Sequence, residues 1–304
     1  MTEHPMRACT HSGSFHADEV FATAILQLLF DDITVTRSRE PQVIEAADIV
    51  YDVGGIYDAE RLRFDHHMAD FPKREDGRPF SSVGLIWERF GTATLAKAFP
   101  VSIPIRDLLQ IAQAIDEELV LPIDMIDNGR TEPTATDITT VVDHFNPNWT
   151  EGASDAKTEE AFFQAVDFAR GVLSRLFAVK FAEYRAESEI HEAAMRSEDP
   201  RIIVLDRNVP FRSAVHRLGL NELLYVISPS GNKGNWGVTA VSVAPNSFVN
   251  RKDLPGAWAG LSDGELQAKS GVSDAIFAHR SRFFAVAMSR GGATRLAEIA
   301  LSSE

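Results

Sequence analysis

Cys9 is the only cysteine in the 304-residue chain. No internal disulfide can form, a cysteine-cluster zinc site is excluded, and a reducing compartment, the cytoplasm by default, is expected. Long hydrophobic runs are missing too: none approaches the roughly 18 residues of a membrane span. The start, Met-Thr-Glu-His-Pro, lacks a basic region followed by an apolar core, which argues against secretion. Basic residues are scarce, with 30 Lys and Arg against 44 Asp and Glu and a formal net charge of −14. Binding to long nucleic acid rests largely on basic groups neutralising many phosphates, so wrapping a long polyanion is excluded. A short polyanion remains compatible, provided metal ions and a few local arginines reverse the charge in a cleft.

What the chain does have is three clusters of imidazoles and carboxylates within its first seventy residues. They are His11-Ser12-Gly13-Ser14-Phe15-His16-Ala17-Asp18, then Tyr51-Asp52-Val53-Gly54-Gly55, then Asp65-His66-His67. Each follows a short strand-like run: Arg7 to Thr10, Ile49 to Val53, and the stretch from Tyr57 to Phe64, of which Arg61 to Phe64 leads into the triplet. Between them, Asp18 to Phe30 carries apolar residues at helical spacing, Ile33 to Arg37 reads as a strand, and Glu40 to Ala47 reads as a short helix opened at Pro41. Strands alternating with helices predict an α/β fold with a parallel sheet, whose ligands bind beyond the carboxyl ends of the strands. The three clusters can therefore converge.

Further on, Asp70 to Pro79 reads as a mobile loop over the site, and Ser81 to Phe99 and Arg106 to Val120 as helices. Asp124 and Asp127 form a fourth acidic cluster within Pro122 to Arg130. Glu159 to Arg196 is helical for nearly forty residues and reads as a connector. Beyond Pro200, Ile202 to Leu205, Leu223 to Ser228 and Trp236 to Val243 read as strands, the last two joined by a hairpin turn at Gly231-Asn232-Lys233-Gly234. The expected organisation is a metal-binding domain over 1–150, a helical connector over 151–200 and a smaller α/β domain over 201–304.

Mixed carboxylate and imidazole ligands suit divalent cations such as manganese. The candidates are His11, His16, Asp18, Asp52, Asp65, His66, His67 and one of Asp124 or Asp127, more than one ion needs. Two ions about 4 Å apart, bridged by a shared carboxylate, activate water and stabilise the leaving oxygen in phosphoryl hydrolysis, and Asp52 is the natural bridge. Adjacent histidines on extended backbone point in different directions, so one of His66 and His67 is an easy ligand and the other is free. Taken singly, each residue has a plainer reading: Asp18 as a favourable charge at a helix start, Asp52 as a turn cap, Asp65 as the acceptor of a core histidine. Asp116-Glu117-Glu118 reads as a solvated helix face, the phenylalanines from 162 to 181 as core, and Trp149, Trp236 and Trp258 as packing residues rather than base-stacking ones.

These motifs resemble the first three of the DHH phosphoesterases and, more closely, the melanocyte proliferating gene family within that superfamily. Thr10 to Glu19, Asp52-Val53-Gly54-Gly55-x-Tyr57-Asp58 and Asp65-His66-His67 carry the likeness. Ser81-Ser82-x-Gly84-Leu85-Ile86, Ile126-Asp127-Asn128-Gly129, Asn146-Pro147-x-Trp149, Pro245-x-Ser247-Phe248-x-Asn250-Arg251 and Leu254-Pro255-x-x-Trp258-x-Gly260-Leu261 extend it, as do Ser270-Gly271-Val272 and Ile276-Phe277-x-His279. The resemblance implies a DHH-type catalytic domain, a second domain, and a dinuclear site of manganese type, with magnesium as the alternative. It implies 3′-to-5′ exonuclease activity on RNA or short oligonucleotides. By position it makes His11, His16, Asp18, Asp52, His66 and Asp127 metal ligands, with Asp124 in reserve, and gives Asp65 and His67 catalytic roles.

One departure stands out. The family follows its late histidine with a glycine-rich loop, where this chain has His279-Arg280-Ser281-Arg282. Close backbone approach to a phosphate is harder without glycine, but Arg280 and Arg282 can bind it through side chains. His279, Arg280, Arg282 and Arg290, the last beside Gly291-Gly292, are the expected substrate contacts. The leading expectation is a metal-dependent phosphodiesterase; a pyrophosphatase-like small-molecule phosphohydrolase and a catalytically weak nucleotide-binding regulator are the alternatives. A short RNA or oligonucleotide is the expected partner, with no membrane or disulfide partner, and a homodimer is compatible with the sequence.

Overall fold

The fold was analysed in a computed structural model that describes residues 5–152, 154–231 and 234–303. The chain divides into two compact units, 1–180 and 181–304. The division falls inside one long helix.

In the first unit, β1 (Met6–Thr10), α1 (Ala17–Leu29), β2 (Ile33–Arg37), α2 (Pro41–Ala46) and β3 (Ile49–Tyr51) alternate as expected. The stretch from Tyr57 to Phe64 is not one strand. It is a tight antiparallel pair, β4 (Tyr57–Asp58) and β5 (Arg63–Phe64), turned at Leu62 with φ 56°. The sheet order is β2-β1-β3-β5-β4, with β2, β1, β3 and β5 mutually parallel. Thr10, Tyr51 and Phe64 are therefore carboxyl ends of neighbouring strands on one edge, and the segments that follow them must leave on that edge. Cys9, Val50 and Val53 pack on one face with Ala47. Phe21, Ile25 and Leu26 of α1 are fully buried, and α1 packs along α3 (Ser82–Ala98).

The next helical segment is continuous but not uniform. α4 (Ile105–Ile115) passes through a π-helical turn at Asp116–Val120 into α5 (Leu121–Asp127). Leu121 N–H bonds back to Asp116 O, five residues earlier, which marks one extra residue in the helical path. Asp116-Glu117-Glu118 is this turn and is not merely solvated. Asp116 pairs with Arg74 at 2.7 Å and Glu118 with Lys180 at 2.6 Å. After α6 (Ile138–Asp143) comes α7 (Asp155–Arg196), 42 residues long. Phe162 and Phe177 of its phenylalanine stripe are core. Trp149 is not a packing residue: it is 92% exposed.

Residues 70–79, expected as a mobile loop, are anchored. Lys73 bridges Pro79, Arg74 N donates to Arg78 O at 2.8 Å, and the half-buried Arg74 guanidinium lies over the Phe80 ring at 4.3 Å.

The second unit holds a mixed sheet, order β6-β7-β8-β10-β9. Its elements are β6 (Ile202–Val204), α8 (Arg212–Arg217), β7 (Tyr225–Ser230), β8 (Asn235–Ala240), α9 (Asp263–Ser270), β9 (Ala275–Ala278), β10 (Phe284–Ala287) and α10 (Arg290–Ser302). Only β6 and β7 are parallel. Strand alternation splits the residues between two cores. Ile202, Tyr225 and Ile227 pack with Leu266 and Leu296 on one face, and Ile203 and Val226 with Ile190 and Val215 on the other. Of the hairpin turn expected between β7 and β8, Asn232 and Lys233 lie outside the described residues; the two strands it joins are antiparallel neighbours.

Candidate active site

The turn after each parallel strand is shaped to aim its polar side chains into one cleft of about 1070 Å³. After β3 the backbone turns sharply. Asp52 has φ 57°, followed by Gly54 at 98° and Gly55 at 69°, a left-handed conformation that aspartate tolerates better than branched residues. After β1, the loop of residues 11–16 is pinned by Asn146, whose side chain accepts from Phe15 N at 3.0 Å and donates to Phe15 O at 2.8 Å.

Asp52, 3% exposed, is the hub. One carboxylate oxygen lies 3.2 Å from His11 Nε2 and the other 3.2 Å from His66 Nε2. His66 Nε2 also lies 3.4 Å from Asp127 and 3.8 Å from Asp18. His11 Nδ1 contacts the Ser12 carbonyl at 3.2 Å, while Nε2 faces Asp52 and Glu19. Asp18 is oriented by Ser82, whose hydroxyl donates to Oδ2 at 2.7 Å; the buried Oδ1 has no hydrogen-bond partner.

Of the residues expected here, His11, Asp18, Asp52, Asp65, His66, His67 and Asp127 are brought together, and His16 lines the same cleft. Asp124 is turned away. Its carboxylate accepts from Ser81 N and Oγ at 2.9 and 2.6 Å and from Gly84 N at 3.2 Å, and forms an ion pair with Arg74 Nη1 at 2.6 Å. Glu19 was missed by the sequence reading. It is fully buried, 2.9 Å from His11 Nε2, and it accepts from His16 N at 3.0 Å. Its place one helical turn after His16 was the available signal, because a glutamate there closes back on the start of a helix.

Crowding sets the protonation of the cluster. Burial works against charge on His11 and His66, but hydrogen bonds and charge from Asp52 and its neighbouring carboxylates hold them up at about 10 and about 9. Burial and the charge of Asp18 push Asp127 up to about 8, and burial pushes Glu19 well above the usual carboxylate range. Asp52 is burdened by burial too, yet its two histidine partners bring it down to about 2.

Asp65 and His67 pair on the rim of the cluster, where His67 Nδ1 also lies 3.6 Å from Asp52. His67 Nδ1 is 2.8 Å from Asp65 Oδ1, and Asp65 also accepts from Gly55 N, His66 N and His67 N. Burial would raise Asp65, but these bonds lower it overall, and the bond from Asp65 raises His67. The His67 side chain is 62% exposed.

The residues fit a divalent metal. Four groups of three have nitrogen or oxygen atoms all within 4.8 Å of one another: His11-His16-Glu19, Asp52-His66-His67, His16-Asp18-Asp127 and Asp18-Glu19-Asp52. The orphaned Asp18 oxygen is an acceptor without a donor, and the donor set of imidazole and carboxylate suits manganese or magnesium better than a soft metal.

The residues expected to bind substrate lie in the second unit. His279 to Arg282 form the turn between β9 and β10. Arg282 has φ 60°, donates from Nε to Leu254 O at 2.7 Å and pairs with Asp253 at 3.4 Å, so its side chain is committed within the unit. His279 accepts from Ser281 N at 3.1 Å and its ring lies tilted against Phe283 at 4.6 Å, while Arg280 is exposed. Arg290 pairs with Asp206 at 3.2 Å. The Asp274 carboxylate fills the space where a Gly292 side chain would stand, and it accepts from Ser289 Oγ at 2.6 Å.

Comparison with known proteins places the chain. The profile of the MYG1_exonuc family, described as "Uncharacterised protein family (UPF0160)", matches residues 7–301. The MYG1 exonuclease of Homo sapiens is 33% identical over 326 residues, covering 98% of this chain and 86% of its own. The MYG1 protein of Dictyostelium discoideum is 30% identical over 314 residues, covering 95% of this chain and 94% of its own. Among solved structures, RecJ of Thermus thermophilus in complex with Mn2+ aligns with 98% of this chain and 52% of that one, at 16% identity and a TM-score of 0.29. With the profile match running nearly from end to end and relatives of 30% identity and above aligned along almost the whole sequence, the chain belongs to the MYG1 family.

Proposed function

We propose that this chain is a metal-dependent phosphodiesterase that removes nucleotides from short RNA or other short oligonucleotides in the 3′-to-5′ direction. The observation that carries the reading is the convergence of His11, Asp18, His66 and Asp127 with Asp52, at the edge where three parallel strands end. The exonuclease names of the relatives supply the reaction class.

His11, His16, Asp18, Asp52, His66 and Asp127 would hold two divalent cations, Mn2+ or Mg2+, with Asp52 reaching both. When bound, such ions supply a nucleophile at neutral pH and offset the charge that develops on the phosphoryl oxygens. The chain's own residues do the rest. Ser82 fixes the Asp18 carboxylate. Asp65, which accepts from four donors, raises the basicity of His67 and orients its ring, so that Nε2 would give a proton to the departing oxygen.

Incubating a labelled short RNA with the Mn2+-loaded protein should release mononucleotides from the 3′ end, and Asp52→Ala should abolish the release. Cleavage unchanged in that variant would defeat the site assignment. Pyrophosphate turnover without oligonucleotide turnover would replace the reading with the small-molecule one.

A further inference from the structure

Arg39 stands two residues beyond β2, so it reaches the cleft from the fourth parallel strand, on the edge where β1, β3 and β5 end. It is the only lysine or arginine among the residues lining the cleft, which Asp18, Asp52, Asp65, Asp127 and Asp143 also line. Its Nε donates to the Ser12 carbonyl at 3.3 Å. Among the described residues, the two terminal nitrogens of its guanidinium have no hydrogen-bond or ion-pair partner. A guanidinium anchored at Nε and open at both ends offers a planar fork matched to two oxygens of one phosphate.

The anchor is itself braced. Arg37, on the same strand, donates from Nη2 to Gly13 O at 2.6 Å and lies 4.4 Å over the Phe162 ring, which fixes the loop that Arg39 holds. A polyanion entering a cleft lined by five aspartates needs cations. The cluster around Asp52 can supply them at the scissile phosphate, and among the described residues Arg39 is the one guanidinium that lines the cleft beside it.

We propose that Arg39 grips the non-scissile phosphate next to the bond being cut, and so makes an anion at that position a requirement of the cleft. The inference rests on the phosphodiesterase reading above.

The test compares wild type, Arg39→Gln and Arg39→Lys on two trinucleotides, one natural and one with the non-scissile phosphate replaced by a neutral methylphosphonate. Arg39→Gln should raise KM about ten- to hundredfold on the natural substrate, as loss of a charge-assisted contact does. It should add nothing on the methylphosphonate, which already lacks the partner, and Arg39→Lys should fall between. An unchanged KM in Arg39→Gln, or losses that multiply when variant and methylphosphonate are combined, would overturn the proposal. So would a parallel fall in Mn2+ affinity by calorimetry, which would make Arg39 a positioning residue for the His11–His16 loop. If wild type turns over neither substrate, the phosphodiesterase reading fails by itself. Arg39 is then judged by calorimetric binding of the natural trinucleotide against the methylphosphonate one to the Mn2+-loaded protein, where an equal preference for the natural one in wild type and Arg39→Gln rejects the contact.

Discussion

Arg74 Nη1 lies 2.6 Å from Oδ2 of Asp124, a carboxylate with no exposed surface, one helical turn before Asp127. The same guanidinium reaches Asp116 at 2.7 Å and Pro79 O at 3.0 Å. One side chain from the 70–79 segment thus ties the helix that delivers Asp127. Arg74→Leu should leave Asp124 buried without its counter-charge, at a cost of about 3–5 kcal/mol. Urea unfolding of the metal-free protein measures it. The double variant Arg74→Leu/Asp124→Leu should be less damaged than Arg74→Leu alone, because no stranded charge remains.

Asp52→Asn separates folding from function. Asparagine keeps the shape and accepts the left-handed backbone that Asp52 adopts at φ 57°, so the variant should still unfold cooperatively, at a midpoint lowered by loss of the carboxylate that faces His11 and His66. A neutral amide is a weaker ligand for a divalent cation than a carboxylate, so Mn2+ binding should weaken by at least tenfold and turnover should be lost. Calorimetry and the RNA assay read the two effects. A variant that binds Mn2+ as wild type does would remove Asp52 from the centre.

His67 is distinguishable from the buried histidines. Its ring is 62% exposed and held by Asp65 at 2.8 Å, so His67→Ala should lower kcat by about 10²- to 10⁴-fold, the usual worth of a general acid, while Mn2+ affinity holds. If Mn2+ affinity drops with kcat, His67 is a ligand rather than a proton donor.

Proton and cation compete for the same nitrogens. His11 and His66 are held up at about 10 and about 9 by their carboxylates. A base raised on folding contributes stability fully below its unfolded value, about 6.5, and loses it as pH climbs through the folded one. The buried carboxylates Glu19 and Asp127, also raised, act in the same direction. The metal-free protein should therefore melt at lower temperature at about pH 8.5 than at about pH 6.5. Mn2+ needs bare nitrogens, so its stabilisation should grow over that interval, reaching about 2.7 kcal/mol at a hundredfold excess over Kd. Melting curves in EDTA and in Mn2+ at both pH values decide it. Stabilisation that shrinks as pH rises would contradict the ligand set.

Much of the first unit was legible because its signals are local. The bounds of β2 and nearly those of β1 and α1 follow from residue periodicity, and three polar clusters just past three strands announce a shared edge. Asp124 and Asp127 could not be told apart, since they stand three residues apart on one helix. The choice is made by Arg74, some fifty residues away in sequence, which claims Asp124. Glu19 was hidden by an ordinary role, a charged residue in the first turn of a helix. The pair β9 and β10 was not foreseen, because Ala-Ile-Phe-Ala and Phe-Ala-Val-Ala show no clean alternation of polar and apolar positions. Nor does composition reveal that the glycines after Arg290 make room for the chain's own Asp274.

The π-helical turn at 116–120 makes the site sensitive to length as well as to identity. An α-helix turns about 100° per residue, and the extra residue here sets the angle at which α5 leaves. Removing any single residue from that turn would let the segment relax into regular helix and rotate everything after it, carrying Asp127 away from His66 and Asp124 away from Arg74 together. A deletion that removes no ligand candidate would thus dismantle the centre as thoroughly as replacing one, although the composition of the cleft would be untouched.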